Sequence, residues 1–139
     1  MPVTALETGL YNKLSTAGDL ITELGGTFIY NSLAAQGVND TASDKYVVFQ
    51  WQGGGDDNKT PSRARSVLYT VYGVGLTPEA AAAIDGYIDA ALHDQTLTIT
   101  GWTNYWTARE SDINFVETDS QGITRHRIGG IYRIRSENV

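Results

Sequence analysis

The chain has 139 residues, an ordinary length for one domain with a single hydrophobic core, and its 41% hydrophobic and 19% charged residues are typical of a folded globular protein. The absence of cysteine excludes disulfides, thiolate metal sites and a cysteine nucleophile. Ten basic and sixteen acidic residues give a net charge of −6, which argues against tight nonspecific binding of nucleic acid.

Membrane insertion and export are also disfavoured by the sequence. No apolar run approaches the ~20 residues that a membrane span needs. The start, Met1-Pro2-Val3-Thr4, lacks the basic-then-apolar pattern of a secretory signal. We therefore predict one intracellular domain over residues 1–139, without a membrane partner.

The N-terminal half predicts a helix followed by strands. Leu6, Leu10 and Leu14 recur at helical spacing, and a continuation over residues 19–24 ends at Gly25. Residues 27–31 read as a short strand and residues 32–44 as a connecting loop. Residues 46–52 form the strongest strand pattern in the chain.

A hairpin follows that strand in the prediction. The glycine-rich residues 53–59 read as a mobile loop, and residues 62–75 are rich enough in β-branched and aromatic side chains to pair back antiparallel. We expect this β-hairpin to project beyond the core.

A second helix is predicted after Thr77, which is a favourable N-cap before Pro78 and Glu79. Asp85 and Asp89 are expected on the solvent side. The predicted core-facing positions of this helix are Ala80, Ala83, Ile84, Tyr87, Ile88, Ala91 and Leu92.

The remaining chain predicts strands at 96–100, 103–110, 114–118 and 123–135, with a turn at 119–122. In the last strand, even positions such as Tyr132 and Ile134 are apolar, and four odd positions are arginines. One face of that strand is therefore expected to be basic and the other to face the core. The element order predicts an α+β fold with two helices packed on one largely antiparallel β-sheet.

Catalytic and cofactor signals are weak. Residues 53–60 approximate a phosphate-binding loop, but Pro61 and a strand follow where a helix is needed, and Asp56 and Asp57 would repel the anion. His93 and His126 have no ligand partners at suitable spacing, and His93 is expected to interact with a helix C-terminus. No serine-nucleophile motif occurs. We predict no enzyme activity, no cofactor and no metal.

An aromatic group and the arginine row leave two interpretations open. Trp102, Tyr105 and Trp106 are either core residues or an interface patch, and the two tryptophans share strand parity, which predicts one common face. The arginines either pair with acidic residues of a neighbouring subunit or form a solvated face.

The order of these features resembles the tail-completion, or tail-terminator, family of long-tailed bacteriophages. The resemblance spans nearly the whole chain. The segments that carry it are Gly25-Gly26, Ile29-Tyr30, Tyr46-Val47-Val48-Phe49, Leu68–Gly75, Ala91-Leu92-His93-Asp94, Leu97-Thr98-Ile99, Glu110-Ser111-Asp112 and Thr118–Arg127. The long arms around residues 53–58 depart from that pattern.

The resemblance implies a structural virion protein of the tail or neck, assembled in the host cytoplasm. It implies a ring, typically a hexamer, that caps the head-proximal end of the tail tube, joins it to head-completion or stopper proteins, and lets DNA pass without specific binding. Head-to-tail contacts close such rings, and hairpins and sheet edges are natural donors for them. Candidate interface residues are Asp56, Asp57, Lys59, Arg63, Arg65, Arg125, Arg127 and Arg133.

Two alternatives remain at this point. One is another neck component, a head-tail connector or stopper. The other is a small α+β module that binds a ligand or single-stranded nucleic acid through Trp102 and Trp106. A lumen for sliding DNA should not hold phosphates, so we expect Arg125 and Arg127 to face another subunit and not the channel.

Overall fold

A computed structural model describes residues 3–32, 45–58, 63–118 and 122–138. Along these residues two helices are followed by three strands, a third helix and three more strands. Their bounds are α1 Val3–Ser15, α2 Gly18–Leu24, β1 Ile29–Asn31, β2 Tyr46–Asn58, β3 Arg63–Gly75, α3 Pro78–Leu92, β4 Thr98–Ile99, β5 Trp102–Thr118 and β6 Thr124–Asn138. Residues 33–44 of the predicted loop at 32–44 and residues 119–121 of the predicted turn at 119–122 lie outside the described residues.

The six strands form one sheet in the order β1-β2-β3-β6-β5-β4. The pairs β2–β3, β3–β6, β6–β5 and β5–β4 are antiparallel, and only β1 runs parallel to its neighbour β2. The predicted α+β class with a largely antiparallel sheet is confirmed, and the short parallel strand makes the sheet mixed.

The predicted count of two helices is wrong, because the first helical region is divided in two. At the end of α1 the hydroxyl of Thr16 donates to the Asn12 carbonyl at 2.7 Å, and Ala17 is extended with ψ 97° before α2 begins at Gly18. Side-chain bonding of this kind competes with helix continuation. All three helices pack on the same face of the sheet.

The main core lies between the helices and that face. Leu6, Leu10 and Leu14 of α1 are fully buried there together with Ile84 and Ile88 of α3. The sheet contributes alternate residues of its central strands, namely Val67, Tyr69 and Val71 of β3 and Tyr132 and Ile134 of β6. A smaller cluster of Tyr46, Val48, Tyr72 and Val74 lies on the opposite face.

The predicted mobile loop at 53–59 is largely strand. Residues 53–58 continue β2 and pair with β3 down to the register Asn58↔Arg63, after a bulge between Trp51 and Gly53. A Cβ on Gly54 would lie 2.3 Å from the Ser66 carbonyl oxygen, and Gly54 has φ +105°. The glycines therefore permit close strand pairing, which the glycine-rich composition alone does not distinguish from a loop.

The predicted hairpin of β2 and β3 is present, and β6 pairs with β3 as far as Ala64↔Glu137. The described part of the hairpin is therefore bordered by a third strand. Residues 59–62, between the two strands in sequence, lie outside the described residues.

The predicted strands at 103–110 and 114–118 are one continuous strand, β5. A register shift between Arg109 and Ser111 accommodates the extra residue Glu110. A bulge of this kind leaves one residue unpaired and lets the strand continue. The in-and-out alternation of side chains is shifted by one position beyond it.

Candidate assembly surfaces

The face of the sheet opposite the helices carries the arginines of β6. Because β6 pairs with β3 without a register shift, its even residues face the helices and its odd residues face the other way, as predicted. We call this surface the arginine face; it comprises Arg125, Arg127, Ile131, Arg133, Arg135 and Glu137 of β6, Ser66, Leu68 and Tyr72 of β3, and Trp106, Glu110, Phe115 and Glu117 of β5.

Two of these arginines have acidic partners on β5. The guanidinium of Arg133 donates to Glu110 and, at 2.7 Å, to the Ser66 hydroxyl. Arg127 pairs with Glu117 at 3.1 Å. The positive charge of these two side chains is therefore partly neutralised within the chain.

The same face is rich in aromatic contacts. The guanidinium carbon of Arg127 lies 5.6 Å from the ring centre of Tyr72 and 5.7 Å from that of Phe115. Tyr72 and Phe115 also meet edge to face, with centroids 5.8 Å apart. Such contacts hold the long arginine side chains against the sheet.

At the other end of the face, the guanidinium of Arg135 lies 6.0 Å from the ring centre of Trp106. Within the part of the chain that the structure describes, Arg135 has no carboxylate within ion-pair distance. Trp106 is 47% exposed. This end of the face therefore presents an aromatic surface and a positive charge to solvent.

The prediction that Trp102 and Trp106 share a face is wrong. A register shift between Asn104 and Trp106 leaves Tyr105 as an extra residue, so Trp102 packs on the helix-covered core while Trp106 lies on the arginine face. The core interpretation therefore fits Trp102, whereas Tyr105 and Trp106 are exposed.

The buried amide of Asn104 fixes that bulge. Its carbonyl oxygen accepts from the backbone N–H of Leu97 and the hydroxyl of Thr107, both at 2.9 Å. Its NH₂ group donates to the carbonyls of Trp106 at 3.1 Å and Arg135 at 2.9 Å. No sequence motif points to this residue, whose role depends on bringing four separate backbone and side-chain groups together.

The predicted interface residues do not form one group. Arg125, Arg127 and Arg133 share the arginine face, whereas Arg65 pairs in register with Ser136 and has the strand parity of the core residues Val67 and Tyr69. Asp56, Asp57 and Arg63 lie near the tip of the β2–β3 ladder, where Asp56 is opposite Arg65, and Lys59 lies outside the described residues.

The outer face of α3 differs from its predicted pattern. Ala83 and Tyr87 were expected in the core but are exposed, whereas Asp85 was expected in solvent but lies toward the sheet. Asp89, also expected in solvent, is half-exposed beside Arg109. We call the exposed side the outer face of α3; it comprises Ala82, Ala83, Gly86, Tyr87 and Ala90. It carries no charge between Glu79 and Asp94.

Arg109 of β5 is the reason that Asp85 points inward. Its guanidinium donates to both carboxylate oxygens of Asp85, at 2.7 and 3.0 Å, and to the Gly129 carbonyl at 2.7 Å. Asp89 lies 3.9 Å away, and the side chains of Arg109 and Asp85 are both 16% exposed. The hydrogen bonds with Asp85 raise the pKa of Arg109 further above its ordinary value.

His93 is the C-cap residue of α3, but its imidazole bonds to β5 and not to the helix end that the prediction named. Its backbone N–H donates to the Asp89 carbonyl, and its Nδ1 accepts from the backbone N–H of Arg109 at 3.1 Å. The imidazole thereby ties the end of α3 to β5. Among the described residues, no three His, Asp or Glu side chains are grouped to hold a metal.

Both edges of the sheet are only partly covered. β1 pairs with β2 at Val47, Val48 and Phe49, and β4 pairs with β5 at Trp102 and Thr103. Beyond those positions, no described strand borders the outer side of β2 or β5. No helix in the described ranges is long and apolar enough to cross a membrane.

These features define a two-layer α+β domain with helices on one face of a mixed sheet and an arginine-aromatic surface on the other. No protein-family model matches the chain, and no curated protein matches it. Among solved structures, the chain is similar to one from the "Virion of native gene transfer agent (GTA) particle", with a TM-score of 0.76 and 16% identity over 97% of this chain and 96% of that one. The two chains share their fold over nearly their whole length.

Proposed function

We propose that this chain is a structural virion protein of a phage-like particle, and specifically a tail terminator. Its copies form a ring, a hexamer in our proposal, that caps the head-proximal end of the tail tube. The ring joins the tube to a head-completion or stopper protein. The chain is not an enzyme in this proposal, and it acts in the virion after assembly in the host cytoplasm.

The observation that carries this proposal is the fold likeness to a virion chain over 97% of this chain and 96% of the other. Coverage of that extent on both sides argues that the whole domain, and not a shared substructure, performs a similar role. The sequence pattern that resembles tail-completion proteins supports the finer assignment independently.

The surfaces of the molecule are consistent with ring assembly. A head-to-tail contact joins two different surfaces of one chain and closes into a ring when its rotation divides the circle. This chain offers two unlike sides, an arginine-aromatic sheet face and a helix layer, and two unlike sheet edges. A net charge of −6 fits a channel along which duplex DNA slides without being held.

Native mass spectrometry across a concentration series, with and without magnesium, tests the proposal. A discrete six-subunit species supports a terminator or an adjacent neck ring, and imaging with cognate tail tubes then separates a tube cap from a connector or stopper. A monomer that binds no tube end and instead binds single-stranded nucleic acid in a salt-sensitive way contradicts it and supports the binding-module alternative.

A further inference from the structure

We propose that neighbouring copies contact each other by docking the outer face of α3 from one copy on the arginine face of the next. This inference rests on the proposed ring and identifies the surfaces that build it. It is carried by the distribution of charge, by the shape of the two faces and by a glycine that the fold itself does not require.

The first argument is the separation of charge between the two layers. Residues 3–24 and 78–94, which contain the helices, hold seven acidic residues and one lysine. The arginine face holds four arginines, of which Arg125 is only 6% exposed, against Glu110, Glu117 and Glu137. A head-to-tail contact therefore brings a negative layer against a positive one, which steers association and favours one orientation.

The second argument is that α3 presents a neutral centre between two acidic ends. Glu79 at the start and Asp94 just past the end are exposed, and between them the Asp89 side chain is 43% exposed beside Arg109. The helix between them, from Glu79 to Leu92, is about 20 Å long. The arginine face has the matching arrangement, because Arg127 and Arg135 are separated by about 26 Å along a strand.

The two remaining aspartates of α3 do not oppose docking. Asp85 is held by Arg109 at 2.7 Å on the side toward the sheet, and Asp89 is 3.9 Å from the same guanidinium. Asp85 therefore keeps its cation when the outer face is buried, and Asp89, whose side chain is 43% exposed, keeps a hydrogen bond from the Tyr132 hydroxyl at 3.2 Å.

Gly86 lies in the middle of the outer face. Glycine is among the least favourable residues inside a helix, so an exposed glycine there calls for a reason. Within this chain a Cβ on Gly86 would meet nothing within 4 Å, so packing inside the fold is not that reason. Close approach of a second surface explains why the position carries no side chain.

The arginine face supplies the apolar area that such a helix covers. Trp106 is 47% exposed, and Leu68 and Ile131 are half-buried between the arginines. A sheet face of this kind is normally covered by a second layer. In the inferred ring, α3 of the neighbouring copy is that layer, with Tyr87 at its centre.

The experiment measures the mass distribution of the full chain across a concentration series for wild type and designed variants. Arg135→Glu places like charges at the contact, and we expect it to raise the concentration for half-assembly about tenfold or more. Glu79→Lys and Asp94→Lys are each made alone and combined with Arg135→Glu. We expect one combination to restore assembly, and which one does so gives the direction of α3 on the sheet.

A second set of variants tests the shape of the contact. Gly86→Gln inserts a side chain at the closest approach and is expected to abolish assembly. Thr8→Gln, at an exposed position of α1 outside both faces, is the matched control and should assemble like wild type. Melting temperatures of all variants report whether the monomer remains folded.

The inference is overturned if folded Gly86→Gln and Arg135→Glu chains assemble like wild type, or if neither charge combination restores assembly. It is also overturned if the arginine-face variants assemble normally but lose binding to tail-tube ends, because that face then binds the tube protein. A wild-type chain that stays monomeric overturns it as well, whereas the proposed function fails only if this chain also leaves tube ends uncapped.

Discussion

The guanidinium of Arg109 bonds both carboxylate oxygens of Asp85, at 2.7 and 3.0 Å, across the boundary between β5 and α3. This pair determines how α3 sits on the sheet, because it draws the charged side of the helix inward. The side that remains outside is made of alanine, glycine and tyrosine. One ion pair thus links helix packing to the composition of the surface on which our proposed assembly depends.

Replacing Arg109 by alanine should destabilise the fold by about 2–4 kcal/mol, because Asp85 and Asp89 would be left near the sheet without their cation. Arg109→Lys should recover only part of this loss, since lysine cannot form the paired hydrogen bonds. Chemical denaturation measures both values. A change below about 0.5 kcal/mol for Arg109→Ala would show that the pair contributes little, as for an exposed salt bridge.

Replacing Asn104 by alanine should cost about 2–3 kcal/mol, because it leaves buried hydrogen-bonding groups of Leu97, Trp106 and Arg135 without their partner. The bulge at Tyr105 should relax with it, and the fluorescence of the exposed Trp106 should change. Asn104→Asp should also destabilise, since a carboxylate cannot donate to the two carbonyls. A wild-type unfolding curve and emission spectrum for Asn104→Ala would contradict this role.

Two glycine-to-alanine variants should have opposite effects on the free energy of unfolding. A Cβ on Gly73 would lie 2.4 Å from Cγ2 of Ile84, so Gly73→Ala should push α3 from the sheet and cost about 1–3 kcal/mol. Gly86→Ala meets nothing and should stabilise the monomer by about 0.5–1 kcal/mol. Equal changes in the free energy of unfolding at the two positions would contradict the described packing of α3 on the sheet.

Two buried tyrosines should make the fold sensitive to alkali. Burial raises the pKa of Tyr69 and of Tyr132 well above 10, and for Tyr132 the Arg109 hydrogen bond opposes part of that rise. Below about pH 10 both phenols are protonated in the folded chain and in the unfolded chain. Above it only the unfolded chain loses the protons, so stability should fall as pH rises further.

Absorbance of tyrosinate at alkaline pH checks this expectation, together with denaturation curves at pH 9 and pH 11. Tyr69→Phe and Tyr132→Phe should each lessen the loss of stability between those values. If both variants show the same pH dependence as wild type, the two phenols do not govern it.

The sequence predicted the elements whose pattern is local and repetitive. The leucines of α1, the N-cap Thr77 of α3 and the alternation of arginines with Tyr132 and Ile134 in β6 each follow from spacing alone. The side chain of Thr77 does accept a hydrogen bond from the backbone N–H of Ala80. Such signals depend on neighbours in the chain and need no knowledge of the fold.

The features that the sequence could not predict depend on contacts between distant residues. The bulge at Tyr105 reverses the parity between Trp102 and Trp106, and its cause is the buried amide of Asn104. The inward turn of Asp85 depends on Arg109, 24 residues away. Gly53 to Gly55 have the composition of a loop, and only the pairing of β2 with Ser66 and Val67 identifies them as strand residues. Helical spacing alone therefore predicts solvent exposure for Asp85, which instead lies toward the sheet.

The central claim, that the chain caps tail tubes as a ring, is tested most directly by imaging cognate tail tubes after addition of the purified protein. We predict a ring of density with six-fold symmetry and an open central channel at only one end of each tube. Tubes with bare ends, or with protein bound along their sides, would contradict it.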